Sequence, residues 1–254
     1  MISRLHVEKA DTLIPRLFAY PEISVRLGAL FSAYGTETSF FNIWIQGDYS
    51  AVLARLDSTF FMLELSNADF EEAAFFLEFN SNFKRLVGSA NTVEKLSKFF
   101  SYPFSITNSN LLKNSTATHT LLYEPVKEPE LSAVFEVLTG NNPIASVHIP
   151  WYTDISHRIR HDCARAYLIY EDTLPTCACL ISAESNRAGL ISGVVTKPEY
   201  RGRGFASAIV TCACLDLLKD GKTPVLECSD NILGFYKRLG FEKIDQISKL
   251  TLGQ

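Results

Sequence analysis

The sequence predicts an α/β fold, in the α+β sense of a mixed, mostly antiparallel twisted sheet flanked by helices. Two observations predict it. In the second half, three strand-like runs follow one another as in an antiparallel meander, and a helix and a further strand then alternate as in a β-α-β unit. The first half has a similar strand-helix order, so we expect two domains of this kind, residues 1–115 and 116–254.

The composition is that of an ordinary globular protein. Of the 254 residues, 47% are hydrophobic and 20% are charged, and this length allows two domains that each bury a core. The net charge of −4 argues against a nucleic-acid binder or an anionic-membrane binder. No apolar run approaches the roughly 18–20 residues of a membrane span, and the N-terminus lacks the apolar core of a secretory signal. We therefore expect a cytoplasmic protein without nucleic-acid or membrane partners.

The first half begins with a helical region and continues with three strands, "SFFNIWIQ", "YSAVLARLD" and "TFFMLEL". A helix "NADFEEAAFFLEF", a short strand "KRLVGS" and a helix "TVEKLSKFF" follow from the spacing of apolar residues. The Ser/Thr/Asn-rich stretch 105–120 has little periodicity. We expect it to join the two domains.

The second half repeats this order. Its expected elements are helices at about 130–139 and 151–162, strands at about 164–170, 176–184 and 187–195, a helix at 205–220, a strand at 223–228, a helix at 231–239 and a last strand at about 241–252. Between the third strand and its helix lies "TKPEYRGRGFAS", where the first half has the acidic "LSNADFEEAA". The two halves are therefore predicted to be an internal repeat whose first copy keeps the scaffold and has lost the glycine turn.

All six cysteines lie in the second half. Cys177 and Cys179 are two apart in a predicted strand, and Cys212 and Cys214 are two apart in a predicted helix. Metal sites favour C-x2-C spacing with partners from a second such pair, which neither pair provides. We expect buried thiols, no metal ion, and a reducing compartment.

The stretch "TKPEYRGRGFAS", residues 196–207, places Arg201 and Arg203 around two glycines, directly before a helix. A helix N-terminus offers four unpaired N–H groups and about half a positive charge. Glycines let backbone approach an anion without an intervening Cβ, and arginines add charge-assisted donors. The stretch therefore predicts a binding site for a diphosphate group.

Two better-known phosphate sites do not fit this chain. A nucleotide P-loop needs G-x-x-x-x-G-K-[ST], and Gly221-Lys222-Thr223 has no glycine five residues ahead of it and follows a helix. A dinucleotide site needs G-x-G-x-x-G, and Gly202-Arg203-Gly204 lacks the third glycine.

A second motif identifies the family. "RGRGFA" is followed some thirty residues later by "YKRLGF", where Gly240 ends a short helix. In this order the two motifs match Arg/Gln-x-x-Gly-x-Gly/Ala and Y-x-x-x-G-F, and residues 118–254 resemble the GNAT superfamily of acyl-CoA-dependent N-acyltransferases. Residues 1–115 carry no such fingerprint and look like a degenerate copy, as in tandem members of the superfamily.

The resemblance implies acetyl-CoA as co-substrate. It implies that the strand end at Val194–Thr196 splays from its neighbour around a bulge and pairs with the pantetheine arm, as an added strand would. Amides from Arg203 to Ser207 would hold the pyrophosphate. Ser229 and Asn231 stand near the place of a family asparagine and could equally be helix caps. The implied cofactor-side residues are Val194, Val195, Thr196, Arg201, Gly202, Arg203, Gly204, Phe205, Ala206, Ser207, Ser229 and Asn231.

The resemblance also implies a mechanism of direct attack by an amine. Tyr236 matches the general acid that protonates the departing thiolate, with a tyrosine that only packs against the core as the alternative. The Val195 N–H would stabilise the developing oxyanion. The general base is not identified: Glu184 and Glu227 are the candidates, and Glu199 is expected to pair with the arginines instead.

The acceptor stays open at this level. His148, Trp151, Tyr152 and His157 fall where relatives line the acceptor pocket, and partly buried aromatics with solvated histidines are an equal alternative. The amine could belong to a small polyamine, an antibiotic, an amino acid or a protein, so the acceptor is a small-molecule or peptide amine. A homodimer is left open. The competing function is a non-catalytic acyl-CoA-binding sensor or assembly module, which the missing carboxylate on the strand 187–195 favours.

Overall fold

The structure is a computed structural model, and it describes residues 1–6, 10–36, 38–116, 122–140 and 145–253. The first half contains ten elements in these ranges, in the following order: β1 (Ile2–Arg4), α1 (Ala10–Phe18), α2 (Pro21–Tyr34), β2 (Phe41–Gln46), β3 (Ala51–Leu56), β4 (Thr59–Glu64), α3 (Phe70–Phe79), β5 (Arg85–Ser89), α4 (Ala90–Ser97) and β6 (Phe104–Asn114).

The second half contains ten further elements. They are β7 (Val126–Lys127), α5 (Leu131–Thr139), α6 (Ala145–Arg160), β8 (Arg165–Glu171), β9 (Leu174–Glu184), β10 (Ala188–Thr196), α7 (Phe205–Lys219), β11 (Thr223–Cys228), α8 (Asp230–Arg238) and β12 (Phe241–Leu252). A single 3-10 turn, Pro198–Tyr200, lies between β10 and α7.

All twelve strands of the described residues form one sheet, in the order β1-β2-β3-β4-β5-β12-β6-β11-β10-β9-β8-β7. Two neighbouring pairs are parallel, β4 with β5 and β10 with β11, and the other pairs are antiparallel. The predicted mixed, mostly antiparallel sheet flanked by helices is confirmed.

The predicted repeat of elements is also confirmed. Each half runs strand, two helices, three antiparallel strands, helix, strand, helix, strand, and the third meander strand of each half pairs in parallel with the strand that follows its helix. The two halves are therefore two copies of one supersecondary unit, here called the first and the second repeat.

The last strand of each repeat lies in the sheet of the other. β12 pairs with β5 of the first repeat, and β6 pairs with β11 of the second. β6 and β12 also pair with each other over their whole length, from Phe104 opposite Leu252 to Asn114 opposite Phe241. The expectation that 105–120 is an irregular junction is wrong for 105–114, because the polar residues there form a strand whose partners come from distant sequence.

Strand β9, the middle strand of the second meander, shows why both faces of the sheet are apolar there. Residues Thr176–Ile181 are all buried, since α7 covers one face of the second repeat's strands, while α2 and α5 cover the other. Strands covered on both sides read as continuous apolar runs. Helix α2 belongs to the first repeat, so the first repeat covers part of one face of β9 and β10 in the second repeat. No helix of the described ranges combines the length and apolarity needed to cross a membrane.

Candidate functional site

The site is built where β10 parts from β11. The two strands pair from Ala188 opposite Thr223 to Ile191 opposite Leu226 and then separate. On its other edge β10 carries a register shift against β9 between Ser192 and Val195, and Gly193 in this bulge has a φ of +57°. The predicted splay and bulge are confirmed, and they leave the end of β10 without a strand partner on the β11 side.

The glycine turn follows the splayed strand. Gly202 and Gly204 have φ values of +77° and +88°, a region that side-chain-bearing residues rarely adopt. Gly204 is the N-cap of α7 and provides no capping side chain. A Cβ on Gly202 would meet no atom within 4 Å, so open space lies directly against its backbone.

The turn leaves a run of backbone N–H groups unused. Ala208 N donates to Gly204 O at 3.0 Å, and Arg201 N donates to Pro198 O at 3.3 Å. Between them, the amides of residues 202–207 have no acceptor in the described part of the chain. Six consecutive free donors at a helix start are an arrangement that suits an anion.

Five of these six residues, all but Arg203, line a cavity of about 570 Å³. Its wall includes seven of the predicted cofactor-side residues: Thr196, Arg201, Gly202, Gly204, Phe205, Ala206 and Ser207. The opposite wall comes from α8 and its end, with Phe235, Arg238 and Leu239, and from Leu122. Val194, Val195, Arg203, Ser229, Asn231 and Tyr236 are not on this wall.

The two arginines of the turn behave differently. Arg203 forms a two-contact ion pair with Glu171, with Nη1 2.8 Å from Oε2, and this partner holds the pKa of the guanidinium above its ordinary value. Arg201 donates from Nε to Thr196 O at 3.1 Å and has no ion-pair partner in the described ranges. Of the two arginines of the turn, Arg201 is therefore the one whose charge is left for a ligand, while Arg203 offers its backbone amide.

Tyr236 is 7% exposed, on the inner face of α8. Its ring packs at right angles against Phe235 and Phe241, with centroid distances of 5.0 and 5.9 Å. Burial, together with the neighbouring Cys179 and Cys228 thiols, raises the pKa of Tyr236 to about 12. The phenol is therefore protonated at neutral pH, as a general acid must be. Val194 of the splayed strand packs against the same core cluster.

The two weaker cofactor candidates pair with each other. Ser229 Oγ donates to Asn231 Oδ1, and both residues are exposed at the start of α8. Ser229 is the N-cap residue but makes no capping side-chain bond. The structure brings neither to the cavity wall.

The two candidates for the general base, Glu184 and Glu227, lie in different surroundings. Glu184 is buried between Arg165 and Lys222 and lies seven residues along β9 from Cys177, the partner of Thr196, or about 23 Å at strand spacing. It is therefore too far to act as the base. Glu227 lies one residue beyond the last β10–β11 pair, ion-paired with Arg26 of α2. The expected pairing of Glu199 with the arginines is wrong within the described residues, since Glu171 takes Arg203.

The predicted acceptor-pocket residues on α6 lie apart from the glycine turn. His157 Nε2 is 2.8 Å from Ala33 O and its ring stacks on Tyr34, and Trp151 packs against Phe135. Both line a separate cavity of about 820 Å³ between the repeats. Tyr152 is 42% exposed and is not on that wall, and the side chain of His148 lies outside the described residues.

All six cysteines are buried and free, as predicted. Burial raises the pKa of Cys177 to about 11 and also raises the pKa of Cys179 and Cys214, so these thiols are unreactive at neutral pH. Within the described residues, no three His, Cys, Asp or Glu side chains come together as metal ligands would.

Sequence reasoning missed the contributions of the first repeat. Asn110 on β6 lies opposite Cys228 and donates from Nδ2 to Asp230 Oδ1 at 2.8 Å, and Arg26 on α2 holds Glu227. Local patterns could not place them, since each reaches the site through pairing across more than 100 residues.

A known protein family is similar to most of the second repeat. The family model described as an acetyltransferase (GNAT) domain matches residues 163–243. This range runs from β8 through the glycine turn and α8 to the start of β12, so it includes both motifs and the splay.

Three solved structures share the fold of the whole chain. A tandem GNAT protein from the clavulanic acid biosynthesis pathway is 11% identical, with a TM-score of 0.64 and coverage of 100% of this chain and 99% of that one. A GCN5-related N-acetyltransferase from Kribbella flavida is 15% identical, with a TM-score of 0.63 and coverage of 91% and 95%. A GNAT-family acetyltransferase from Colwellia psychrerythraea is 12% identical, with a TM-score of 0.58 and full coverage of both chains. Residues 163–243 therefore match an acetyltransferase (GNAT) domain, and the whole chain, with its two-repeat layout, shares the fold of a tandem GNAT protein.

Proposed function

We propose that the protein is an N-acetyltransferase that moves an acetyl group from acetyl-CoA to a primary amine, with the chemistry confined to the second repeat. The observation that carries this proposal is the run of free amides at residues 202–207 beside the unpaired Arg201, at the mouth of a cavity of about 570 Å³. The GNAT domain match over the same residues supports it.

The residues present fit the phosphate end of a coenzyme A. Gly204, Phe205, Ala206 and Ser207 would donate backbone N–H groups to the pyrophosphate, and Arg201 would add a charge-assisted bond. The edge of β10 at Val194–Thr196 would pair with the pantetheine arm, because β11 has already turned away. Acetyl-CoA, when bound, supplies the activated acyl group.

The reaction needs three further tasks from the chain. The attacking amine forms the N–C bond with its lone pair, and the C–S bond breaks with its electron pair passing to sulfur. Tyr236 gives its proton to that sulfur and regains one from solvent. Charge on the carbonyl oxygen needs a backbone N–H on the free edge of β10, and the Val195 N–H is not the one, because it faces its partner Ala178 on β9. Glu227, at the point where the strands part, is the candidate that takes the amine's proton, directly or through water.

We place the catalytic domain at 116–254 and the supporting first domain at 1–115, with β6 and β12 exchanged between them. Ser229 and Asn231 stay cofactor-side candidates of lower rank, since they lie at the start of α8 and bond to each other. The proposed setting is the cytoplasm, where thiols stay reduced. A non-catalytic acyl-CoA sensor is the competing function.

Calorimetric titration with acetyl-CoA and CoA tests the proposal, using Arg201→Gln beside the matched control Arg203→Gln. A lost charge-assisted bond costs roughly 10- to 100-fold in affinity, and we expect that loss in Arg201→Gln alone, since Arg203 is occupied by Glu171. Turnover of acetyl-pantetheine, which has no phosphates, should not differ between the two variants.

The outcomes separate the alternatives. Equal losses in both variants would contradict the assignment of Arg201. Tight binding without thiol release on any amine of a mixed panel would favour the sensor. Absence of CoA binding to the unmodified protein would overturn the proposed function itself.

A further inference from the structure

A gap in the sheet lies next to the proposed acyl site. β11 ends at Cys228, opposite Asn110 of β6, and β6 extends outward from there by six residues to Phe104. On the far side of the gap, β10 has left β11 after Ile191 and extends to Thr196. Within the described residues, the two borders of this gap are strand edges without a strand partner.

The β6 border, residues 104–109, is an unprotected edge. One side of β6 pairs with β12 over the whole strand, so only the other side is open. Residues 104–108 are all exposed. The chain has no charged residue from 99 to 112, and 104–109 contain no proline, glycine or lysine. Natural proteins usually blunt such edges with charges, prolines or bulges. An edge left open in this way is suited to pairing with an extended chain through backbone hydrogen bonds.

A buried acceptor without a donor marks the inner end of this edge. Asn110 is 2% exposed, and its Oδ1 has no hydrogen-bond partner among the described residues. Its Nδ2 donates to the Asp230 carboxylate at 2.8 Å. Because a carboxylate only accepts hydrogen bonds, the amide atom beside Asp230 is the nitrogen and the atom without a partner is the oxygen. Asn110 lies opposite Cys228, and the Cys228 thiol is one of the neighbours that raise the pKa of Tyr236. Because residues opposite each other on neighbouring strands share a face of the sheet, the unpaired oxygen lies on the face that carries Cys228 and Tyr236.

The gap suits an extended segment rather than a second protein. Neighbouring strands are about 4.8 Å apart, and β10, β9 and β8 extend alongside the gap, with Thr196 opposite Cys177 and Leu174 opposite Glu171. A second copy that continued the sheet from β6 would bring its own strands into this space. A single extended segment would not.

From these features we infer that the acceptor is the N-terminal amine of an extended peptide, which adds as an antiparallel strand to residues 104–109 of β6. The inference rests on the proposed function. From Cys228 inward, β11 already fills the strand position beside β6, so the added strand must end at this point. Because the added strand runs antiparallel to β6, the end that lies there is its N-terminus, which carries the α-amine. An N–H of that amine would satisfy Asn110 Oδ1, and the acyl donor would lie along the facing edge of β10.

Thiol release from acetyl-CoA with a matched acceptor set tests the inference. The acceptors are alaninamide, a pentapeptide amide of alanine and serine, and that pentapeptide with each amide N-methylated in turn. We expect kcat/KM for the pentapeptide at least tenfold above that for alaninamide. N-methylation should lower it about tenfold at alternate positions and little between them, because strand N–H groups point alternately to the two edges. Equal kcat/KM for alaninamide and pentapeptide, or an N-methyl scan without alternation, would overturn the inference.

Two protein variants give an independent test. Ile106→Pro and Thr107→Pro remove consecutive N–H groups, of which one points to β12 and the other to the gap. We expect one variant to keep stability and CoA affinity while KM for the pentapeptide rises about tenfold and alaninamide turnover is unchanged. If both variants fail to fold, the N-methyl scan decides alone.

The results also distinguish this inference from the proposed function. Acetylation of alaninamide with a flat N-methyl scan would remove the peptide strand and leave the transferase. Failure of the unmodified protein to bind CoA would remove both. A dimer in sedimentation that the folded proline variant dissociates would show that a second copy occupies the edge, against the inference.

Discussion

The two repeats begin their third helix in opposite ways. In the first repeat, α3 starts at the N-cap Asp69, whose carboxylate accepts the Glu72 N–H at 2.9 Å. In the second, α7 starts at Gly204, which has no side chain to offer and holds a φ of +88°. The same scaffold therefore supports a helix start that satisfies its own donors and one that leaves them for a ligand.

Aligned on these caps, the repeats also differ in charge. Glu71 and Glu72 of α3 stand where α7 has Ala206 and Ser207. The Glu72 carboxylate accepts hydrogen bonds from the Ile2 N–H at 2.6 Å and from Gln46 Nε2 at 2.9 Å. Two carboxylates at the helix start repel an anion, so the first repeat cannot bind a diphosphate there. The two repeats therefore differ in the turn and not in the scaffold, and the proposed anion site depends on the turn.

A second difference lies on the second helix after the meander, α4 in the first repeat and α8 in the second. Counted from the N-cap serines Ser229 and Ser89, Tyr236 of α8 and Leu96 of α4 occupy the same position. Leu96 is fully buried and has no proton to give. The first repeat thus keeps the packing role of this residue and lacks the chemical one.

The largest effect on this comparison should come from Tyr236→Phe, which gives the second repeat a side chain as inert as Leu96. We expect kcat to fall by roughly 10²- to 10⁴-fold, the usual contribution of a general acid, with CoA affinity unchanged. Steady-state thiol release measures kcat, and Tyr200→Phe, in the cavity wall, is the matched control that should keep activity. A Tyr236→Phe enzyme with full kcat would show that the tyrosine only packs.

The next effect comes from giving the second repeat the acidic start of the first. Ala206→Glu puts a carboxylate against the free amides, and we expect CoA affinity to fall at least on the order of 100-fold, because a repelling charge replaces a small side chain. Titration calorimetry measures the affinity. The matched control is Glu71→Ala at the equivalent position of α3, which should leave it unchanged. Retained affinity in Ala206→Glu would place the phosphate site elsewhere.

The smallest effect concerns stability at high pH. It comes from the cysteines, all six of which lie in the second repeat. Burial raises the pKa of the Cys177 thiol from an ordinary value of 9.0 to about 11 in the folded protein. The unfolded chain therefore loses that proton first as pH rises, and stability that is complete below pH 9 declines towards pH 11. This thiol alone should lower the free energy of unfolding by about 1.4 kcal/mol at pH 10.

Urea unfolding at pH 7, 9 and 10 measures this decline, with Cys177→Ala as the comparison. The variant starts less stable, since it leaves a small cavity, but its stability should change less with pH. A wild-type protein as stable at pH 10 as at pH 7 would contradict the assignment.

Local patterns were enough for most elements and for part of the site. The strands and helices of both repeats follow from apolar spacing, and the run from Arg201 to Ser207 was found from its glycines and charges, because a turn before a helix is determined by neighbouring residues. The strand at 104–114 was missed: its Ser, Thr and Asn residues have low periodicity, and only pairing with β11 and β12 makes them a strand.

By itself the sequence determined the order of elements, the repeat, the buried thiols and the position of the anion-binding turn, all of which depend on residues close together in the chain. Only the tertiary structure decided which arginine stays unpaired, since Glu171 reaches Arg203 from 32 residues away. The tertiary structure also decided that Glu184 is committed to Arg165 and Lys222, and that strands are exchanged between repeats. The physical reason is the same in each case: ion pairs and strand pairing join residues that no local pattern connects, so the partner is chosen by the packed fold.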